Sequence, residues 1–240
     1  MATILAIDTS AKPVSCAIVR NGSVIGSFYS NTGLTHSQTL MVMLEHVLSI
    51  SGLTVEQLDA LAVNAGPGSF TGVRIGVSAV KGLAFTHKKP CVSVSTLASM
   101  AENVAAPTGT LVCGVMDARC QQVYTALFEK KAMGESVRVT DDTAISIVDL
   151  AEQLKKQKRA VVLVGDGAEM CYNILKETVS DLSVAPPSAR YQNAAATAIV
   201  AERSYESGDT VSAEELLPVY LRLPQAEREL NSRLAKEQSK

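Results

Sequence analysis

The residues whose types and spacing best suit chemistry lie in one turn of this 240-residue chain, at positions 66–71. An apolar, strand-like segment leads into the turn, and a helical pattern begins near residue 69 or 70. This arrangement aims backbone N–H groups and the positive end of the helix dipole at one point, which is how proteins commonly hold anions. The sequence therefore predicts an anion site, suited to phosphate, whose contacts are Gly66, Gly68, Ser69 and Thr71.

The spacing of this turn excludes three standard motifs. A dinucleotide-binding fingerprint requires glycine where Thr71 stands, and a P-loop requires lysine and then serine or threonine where Val73 and Arg74 follow Gly72. A nucleophile elbow requires glycine two residues before and after the serine, and Ser69 has neither. The turn is therefore predicted to bind an anion, but it matches none of these three motifs.

The helix that follows the turn contains glycines inside it, and each costs roughly 1 kcal/mol relative to alanine. The usual compensation is the close approach of another backbone, so we expect this helix to pack tightly on a neighbouring helix of this chain or of a partner. The residues of the predicted contact face are Gly72, Ile75, Gly76, Ser78, Ala79 and Gly82.

Composition and charge exclude several classes of function. The chain is 47% hydrophobic and 19% charged, which is typical of a folded protein, and its net charge is −2. A chain with this charge and no long basic run is not expected to bind nucleic acid by its own electrostatics. No segment has the length or the flanks of a signal peptide or membrane span, so the predicted compartment is the cytoplasm.

Neither cysteine nor histidine spacing indicates a metal site. The five cysteines contain no C-x-x-C pair, and they are predicted to be small buried hydrophobic residues. His36 and His46 are ten residues apart and lack the i, i+4 spacing of a helical metal pair. His36 is instead expected to cap the helix or to hydrogen bond locally.

The elements around the turn begin with three predicted strands, at 3–8, 14–19 and 23–29. Asn21-Gly22 between the last two is a strong hairpin signal. Three tightly joined strands with an acidic residue at the end of the first are typical of actin-like and sugar-kinase-like folds. Asp8 would then contact a nucleotide phosphate, or, in the alternative interpretation, only cap its own turn.

A helix is predicted at 37–50, and its apolar face covers about half of the circumference. Part of this face is predicted to bind another protein, and the alternative is an unusually apolar core helix. The residues assigned to the partner interface are Leu40, Met43, Leu44 and Val47.

A break at 106–109 separates a second series of elements. We predict strands at 111–116, 123–128, 136–140 and 160–164, with helices at 145–156 and 168–179. The predicted fold is therefore α/β, with two actin-like halves at 1–106 and 107–222. Each half is predicted to contain its own mixed sheet with flanking helices. The last helix, at 192–207, is expected to pack back on the first half. The charged tail, 223–240, is predicted to be exposed or disordered.

Five segments together resemble the bacterial TsaB (YeaZ) family: ILAIDTS, THSQTLM, GPGSFTGVRIG, MDAR before VY, and PVYLR, spread over residues 3–222. The resemblance implies a non-catalytic scaffold subunit for making threonylcarbamoyladenosine in tRNA, at the adenosine beside the anticodon. It further implies a heterodimer with the paralogue TsaD, which carries the catalytic and metal-binding residues, and recruitment of the ATPase TsaE. The chain alone would form a homodimer and meet tRNA only through the complex. No cofactor or metal is expected in this chain, and any ATP or ADP would bind at an interface of the complex.

One departure from the family pattern and one alternative function qualify the functional interpretation. Gln122 stands before VY where many family members carry an acidic residue, so no carboxylate role is expected there. The alternative function is an ATP-dependent small-molecule kinase, motivated by Asp8 and the turn 66–71. A kinase of this fold needs a second phosphate loop, and the candidate at 116–119 lacks glycine.

Overall fold

The computed structural model describes residues 2–222, which form two mixed β-sheets with flanking helices. The five-stranded first sheet has the order β3-β2-β1-β4-β5. Its strands are β1 (Thr3–Asp8), β2 (Val14–Arg20), β3 (Ser23–Ser30), β4 (Ala60–Gly66) and β5 (Cys91–Ser95). Helices α1 (His36–Ser51), α2 (Phe70–His87) and α3 (Thr96–Glu102) accompany them.

The six-stranded second sheet has the order β11-β10-β6-β7-β8, and β9 also pairs with β7. Its strands are β6 (Leu111–Asp117), β7 (Gln122–Lys130), β8 (Ser136–Arg138), β9 (Thr143–Ser146), β10 (Val161–Val164) and β11 (Leu182–Val184). The remaining helices are α4 (Ile147–Lys155), α5 (Ala168–Leu175) and α6 (Ala194–Glu206).

The predicted hairpin between β2 and β3 is confirmed. Asn21 and Gly22 both have positive φ, at 52° and 72°, as a tight hairpin turn of this kind requires. β1 then pairs antiparallel with β2 and parallel with β4, and every residue of β1 and β4 is buried. Burial on both faces explains why these two strands are mostly apolar and do not alternate between apolar and polar residues.

The last helix, α6, lies on the first sheet. Ala198 and Ala201 are buried in a cluster with Ala2, Ile4 and Ala6. Glu202 accepts a hydrogen bond of 2.7 Å from the backbone N–H of Gly22 in the first hairpin. The chain therefore enters the second half and returns, and the predicted boundary at residue 106 stays a prediction.

Several predicted elements differ from the structure. Residues 143–146 form β9 because they pair with β7, so α4 begins at Ile147 rather than at residue 145. Helix α5 ends at Leu175, and the strand β11 after it was not predicted. The predicted tail, 223–240, lies outside the described residues. Among the helices that are described, none is both long and apolar enough to cross a bilayer.

The apolar face of α1 corrects one prediction. Leu40, Leu44 and Val47 are at most 2% exposed and belong to the core of the first half. Met43 packs partly against the same core. These three side chains face the sheet, so the core-helix interpretation is right for them. The prediction that they bind a partner is wrong.

Candidate functional site

A cleft of about 470 Å³ lies where the two halves meet. The first half contributes the turn after β1 and the first residues of α2, and the second half contributes the turns after β6 and β10. The polar and aromatic lining residues include Ser10, Lys12, Ser69, Asp117, Arg119, Asp166, Tyr220 and Arg222.

Asp8 is fully buried and does not line this cleft. One carboxylate oxygen accepts hydrogen bonds from the Ser10 backbone N–H (2.8 Å) and hydroxyl (2.7 Å), and the other accepts from Asn64 Nδ2 (2.6 Å). Burial raises the pKa of Asp8 to about 6, although these hydrogen bonds oppose the shift. The turn-capping interpretation describes these contacts, and the predicted phosphate contact is contradicted because no oxygen of Asp8 reaches the cleft.

The turn 66–71 is closed by internal packing. The backbone N–H of Ser69 donates to the carbonyl oxygen of Ser10 at 2.7 Å. A Cβ at Gly68 would collide with that same carbonyl, and a Cβ at Gly66, where φ is 134°, would collide with the carbonyl of Val219. The glycines therefore permit close backbone packing, and the Ser69 amide predicted to hold an anion is already used.

The Ser69 hydroxyl and Thr71, the other two groups of this turn, also make contacts that were not predicted. The Ser69 hydroxyl caps α2 by accepting from the Gly72 N–H at 3.3 Å. Thr71 lines a groove on the outer side of α2 with Phe70 and Arg74 and does not line the cleft. Of the four predicted anion contacts, Gly68 and Ser69 line the cleft and Gly66 and Thr71 do not, so the structure does not bring all four together and the anion site stays a prediction.

The glycines of α2 approach a strand end rather than another helix. A Cβ at Gly72 would collide with the Thr9 carbonyl oxygen, and a Cβ at Gly76 would lie 2.5 Å from Thr9 Oγ1. Thr9 Oγ1 in turn donates to the carbonyl of Gly72 at 2.7 Å. The predicted helix–helix contact is wrong for these two buried glycines, whereas a Cβ at Gly82 would meet no atom within 4 Å.

The remaining predicted interface residues of α2 lie nearer the surface. Ser78 is exposed, and Ile75 and Ala79 are partly buried against the core. The exposed side chains on the same helix include Phe70, Arg74 and Phe85. The exposed residues of α2 therefore lie on a different side of the helix from the buried glycines Gly72 and Gly76.

On the second-half side, the turn between β6 and β7 has an unusual backbone. Arg119, Cys120 and Gln121 have consecutive positive φ values of 62°, 53° and 56°, a conformation that costs non-glycine residues roughly 1–2 kcal/mol each. Asp117 accepts a 2.7 Å hydrogen bond from the N–H of Arg119, and its own N–H donates to Asp166. Two carboxylates thus meet at this wall of the cleft.

A strap formed by residues 216–222 crosses the cleft. Val219 N–H donates to Ala65 O at 2.7 Å in the first half, and Arg222 donates to Ala118 O at 2.7 Å in the second. Between them, the Tyr220 ring stacks on Phe70 with centroids 5.1 Å apart. The segment PVYLR is part of the family resemblance, but nothing in it predicts these contacts, because they depend on where the chain returns.

Actin-like folds commonly bind a nucleoside triphosphate in a cleft of this kind. This cleft carries cations, at Lys12, Arg119 and Arg222, but the Ser69 amide is bonded internally. The opposite turn, at 117–121, contains no glycine. These residues do not fit a tightly held triphosphate.

His36 was predicted to cap the helix or to hydrogen bond locally, but its Nε2 lies 2.8 Å from the carbonyl oxygen of Ala11, 25 residues earlier in the chain. This hydrogen bond joins the start of α1 to the turn after β1, beside the cleft. Within residues 2–222, no group of three or more His, Cys, Asp or Glu side chains is placed to hold a metal ion.

Solved structures confirm the predicted fold class. YeaZ from Pseudomonas aeruginosa superposes with a TM-score of 0.77 at 28% identity, covering 92% of this chain and all of that one. The ROK hexokinase from Thermus thermophilus superposes with a TM-score of 0.50 at 11% identity and covers 86% of this chain and all of the hexokinase. The two halves are therefore actin-like and sugar-kinase-like in fold.

Sequence comparisons identify the family. The protein-family model described as "TsaD: tRNA N6-adenosine threonylcarbamoyltransferase" matches residues 30–230. The tRNA threonylcarbamoyladenosine biosynthesis protein TsaB of Bacillus subtilis is 31% identical, covering 94% of this chain and 96% of its own length. The protein of the same name from Escherichia coli is 33% identical, covering 91% and 94%. Because these relatives match along nearly their whole length, the chain belongs to the TsaB family.

Proposed function

We propose that this chain is a non-catalytic accessory subunit in the formation of threonylcarbamoyladenosine in tRNA, at the adenosine beside the anticodon. The observation that carries the proposal is the near-full-length similarity to proteins named for this biosynthesis. An accessory role is supported by the groups best suited to phosphate chemistry, Asp8 and the Ser69 amide, because both hydrogen bond within the chain.

The proposed partner is TsaD, the paralogous transferase. Part of this chain is 32% identical to the tRNA N6-adenosine threonylcarbamoyltransferase of Anoxybacillus flavithermus, over 40% of the chain and 33% of the transferase. Related folds can pair through equivalent faces, so the same surface would serve a homodimer when TsaD is absent. In this proposal TsaE joins the pair, tRNA is bound only by the complex, and any ATP or ADP binds at one of its interfaces. The complex acts in the cytoplasm.

The proposed docking surface is the outer side of α1 and α2. Met41, Val42 and Ile50 are 54%, 52% and 64% exposed, although the opposite side of α1 is buried. On α2, Phe70 and Phe85 are 39% and 69% exposed. Large apolar side chains concentrated on two neighbouring helices are typical of a protein interface. This outer surface replaces the buried residues assigned from the sequence.

Reconstitution tests the proposal. Purified TsaD, TsaE, tRNA and threonylcarbamoyl-adenylate are combined with or without this chain, and modified adenosine is measured. We expect modification to require the chain. An unchanged rate without it would refute the accessory role, and tRNA retardation in a gel by the chain alone at physiological salt would refute binding through the complex.

A matched pair of variants tests the surface. Val42→Arg on α1 should abolish the TsaD complex in size-exclusion chromatography with light scattering, because it places a charge in an apolar interface. Val148→Arg on α4 changes the same residue type at a 71% exposed site of the second half and should leave the complex intact. Equal behaviour of the two variants would contradict the proposed surface.

The kinase alternative is tested by calorimetric titration of the isolated chain with ATP and magnesium. A kinase should bind and hydrolyse ATP, whereas the accessory subunit should do neither. The structure weakens the motive for this alternative, because both Asp8 and the turn 66–71 are committed to internal contacts.

A further inference from the structure

β3 leaves the outer edge of the first sheet unpaired. It hydrogen bonds to β2 on one side, and no other residue of the described part of the chain pairs with its backbone. An antiparallel edge strand directs every second N–H and C=O away from its neighbour. β3 is eight residues long and contains neither a charged residue nor proline, two of the usual means of blocking an edge. A bulge at Ile25 interrupts its pairing with β2, so the regular part of the edge next to Tyr29 is residues 26–30.

The other sheet edges lack this combination of length and accessibility. β5 is extended by a bridge in which Cys91 pairs with Val211. At the edges of the second sheet, β11 and β8 have three residues each and β9 has four. β3 is therefore the long edge that is open to an added strand.

The backbone of β3 is held firmly while its apolar side chains face outward. α1 packs so closely that a Cβ at Gly26 would lie 2.5 Å from Ser51 Oγ and 3.1 Å from a Val47 methyl. Ile25 and Tyr29 are nevertheless 38% and 45% exposed. A rigid edge with exposed apolar side chains is well suited to bind an extended segment at low entropic cost.

A groove of about 310 Å³ lies at the Tyr29 end of the strand. It is lined by Tyr29, Pro187, Ser188, Tyr191 and Asn193, so two phenol rings and a proline form its walls. No charged residue lines it, and a charged side chain placed there would lose hydration without gaining a partner. An aromatic or other apolar side chain fits this chemistry.

We propose that the β3 edge binds an extended, uncharged segment of a partner protein, which adds as a sixth strand and places one aromatic side chain in the Tyr29–Tyr191 groove. Backbone hydrogen bonds would supply affinity, and the groove would supply selectivity. A second copy of β3 fits less well. Antiparallel self-pairing brings the polar Asn21-Gly22 turn of the copy beside the groove, where an apolar side chain is needed.

The probe is an acetylated, amidated peptide of the same length as β3, with alternating threonine and valine and one tyrosine. Binding to the full chain is measured by calorimetry. Two further peptides carry N-methyl groups on alternate residues, one on the odd positions and one on the even. An added strand donates from only one of these sets, so one peptide should lose binding and the other should keep it. Equal binding by both, or no binding by the parent peptide, would overturn the proposal.

Variants locate the site. Ile25→Lys places a charge on the edge and should weaken peptide binding at least about tenfold, which corresponds to ~1.4 kcal/mol. Val148→Lys, on an exposed face of α4, should leave it unchanged. Equal effects of the two variants would place the peptide elsewhere. A homodimer of the unmodified chain that Ile25→Lys dissociates would identify a second copy as the occupant and overturn the proposal.

Discussion

The two turns that face each other across the cleft are stabilised in opposite ways. In the first half, the turn after β1 is internally bonded, with Asp8 holding Ser10 and the Ser10 carbonyl holding the Ser69 amide. In the second half, the turn after β6 is exposed, has three residues at positive φ, and is tied to the rest of the molecule through Arg222. The first turn is part of the core, whereas the second depends on a strap that arrives from residues 216–222.

The difference lies in what occupies the space beside each turn. The glycines at 66 and 68 still allow backbones to meet closely, but the space is filled by protein carbonyls. Substitutions in the first turn should therefore affect global stability, and substitutions at the second should affect local opening.

The largest effect is expected for Gly72→Val. The new side chain would collide with the Thr9 carbonyl, a backbone atom that cannot move alone, so we expect a loss of about 4 kcal/mol in the free energy of unfolding. Urea denaturation measures this. Gly82→Ala in the same helix is the matched control and should stabilise by about 0.5–1 kcal/mol, because open space surrounds it. Similar changes in the free energy of unfolding for both variants would contradict the close packing described at Gly72.

Asp8 predicts a pH dependence of intermediate size. Its pKa is raised from 3.8 to about 6, so the folded protein binds this proton more tightly than the unfolded chain does. Its contribution to stability is therefore fully present below pH 3.8, is lost as the pH rises through about 6, and is constant above that. The loss should be about 3 kcal/mol.

The neutral variant Asp8→Asn isolates this contribution. The free energy of unfolding of the unmodified protein minus that of the variant should fall between pH 4 and pH 6 in denaturant titrations. Parallel pH profiles would show that the Asp8 carboxyl is not buried as described.

The smallest effect is expected for Arg222→Ala, which removes the hydrogen bond to the carbonyl of Ala118. Loss of one charged donor should cost about 1.5 kcal/mol or less. Amide hydrogen exchange at Ala118 and Gln122 should accelerate, while exchange in the β2–β3 hairpin should not change. Uniform acceleration in both hairpins would mean that the strap stabilises the whole molecule rather than this turn.

Much of the fold could be predicted because local signals were strong. Asn21-Gly22 fixed the first hairpin, and the apolar runs of β1 and β4 indicated buried strands. β9 and β11 were missed because four-residue and three-residue strands have too few residues to show a period. The width of an apolar stripe could not tell which part of α1 meets the sheet.

The site was harder to predict than the fold. A glycine-rich turn before a helix has the same sequence pattern whether its amides meet a phosphate or the Ser10 carbonyl. Likewise, Arg222 reaches Ala118 across 104 residues of sequence, and no local pattern carries that information. The family resemblance identified the function class, but long-range packing decides which groups in the cleft are free.

The return of α6 to the first sheet also determines when the protein can fold. The cluster that joins Ile4 to Ala198 and Ala201 cannot form until nearly two hundred residues have been synthesised. Until then, one apolar face of β1 and β4 is without its cover on the nascent chain, and such surfaces favour aggregation. The first half is thus made early but completed late.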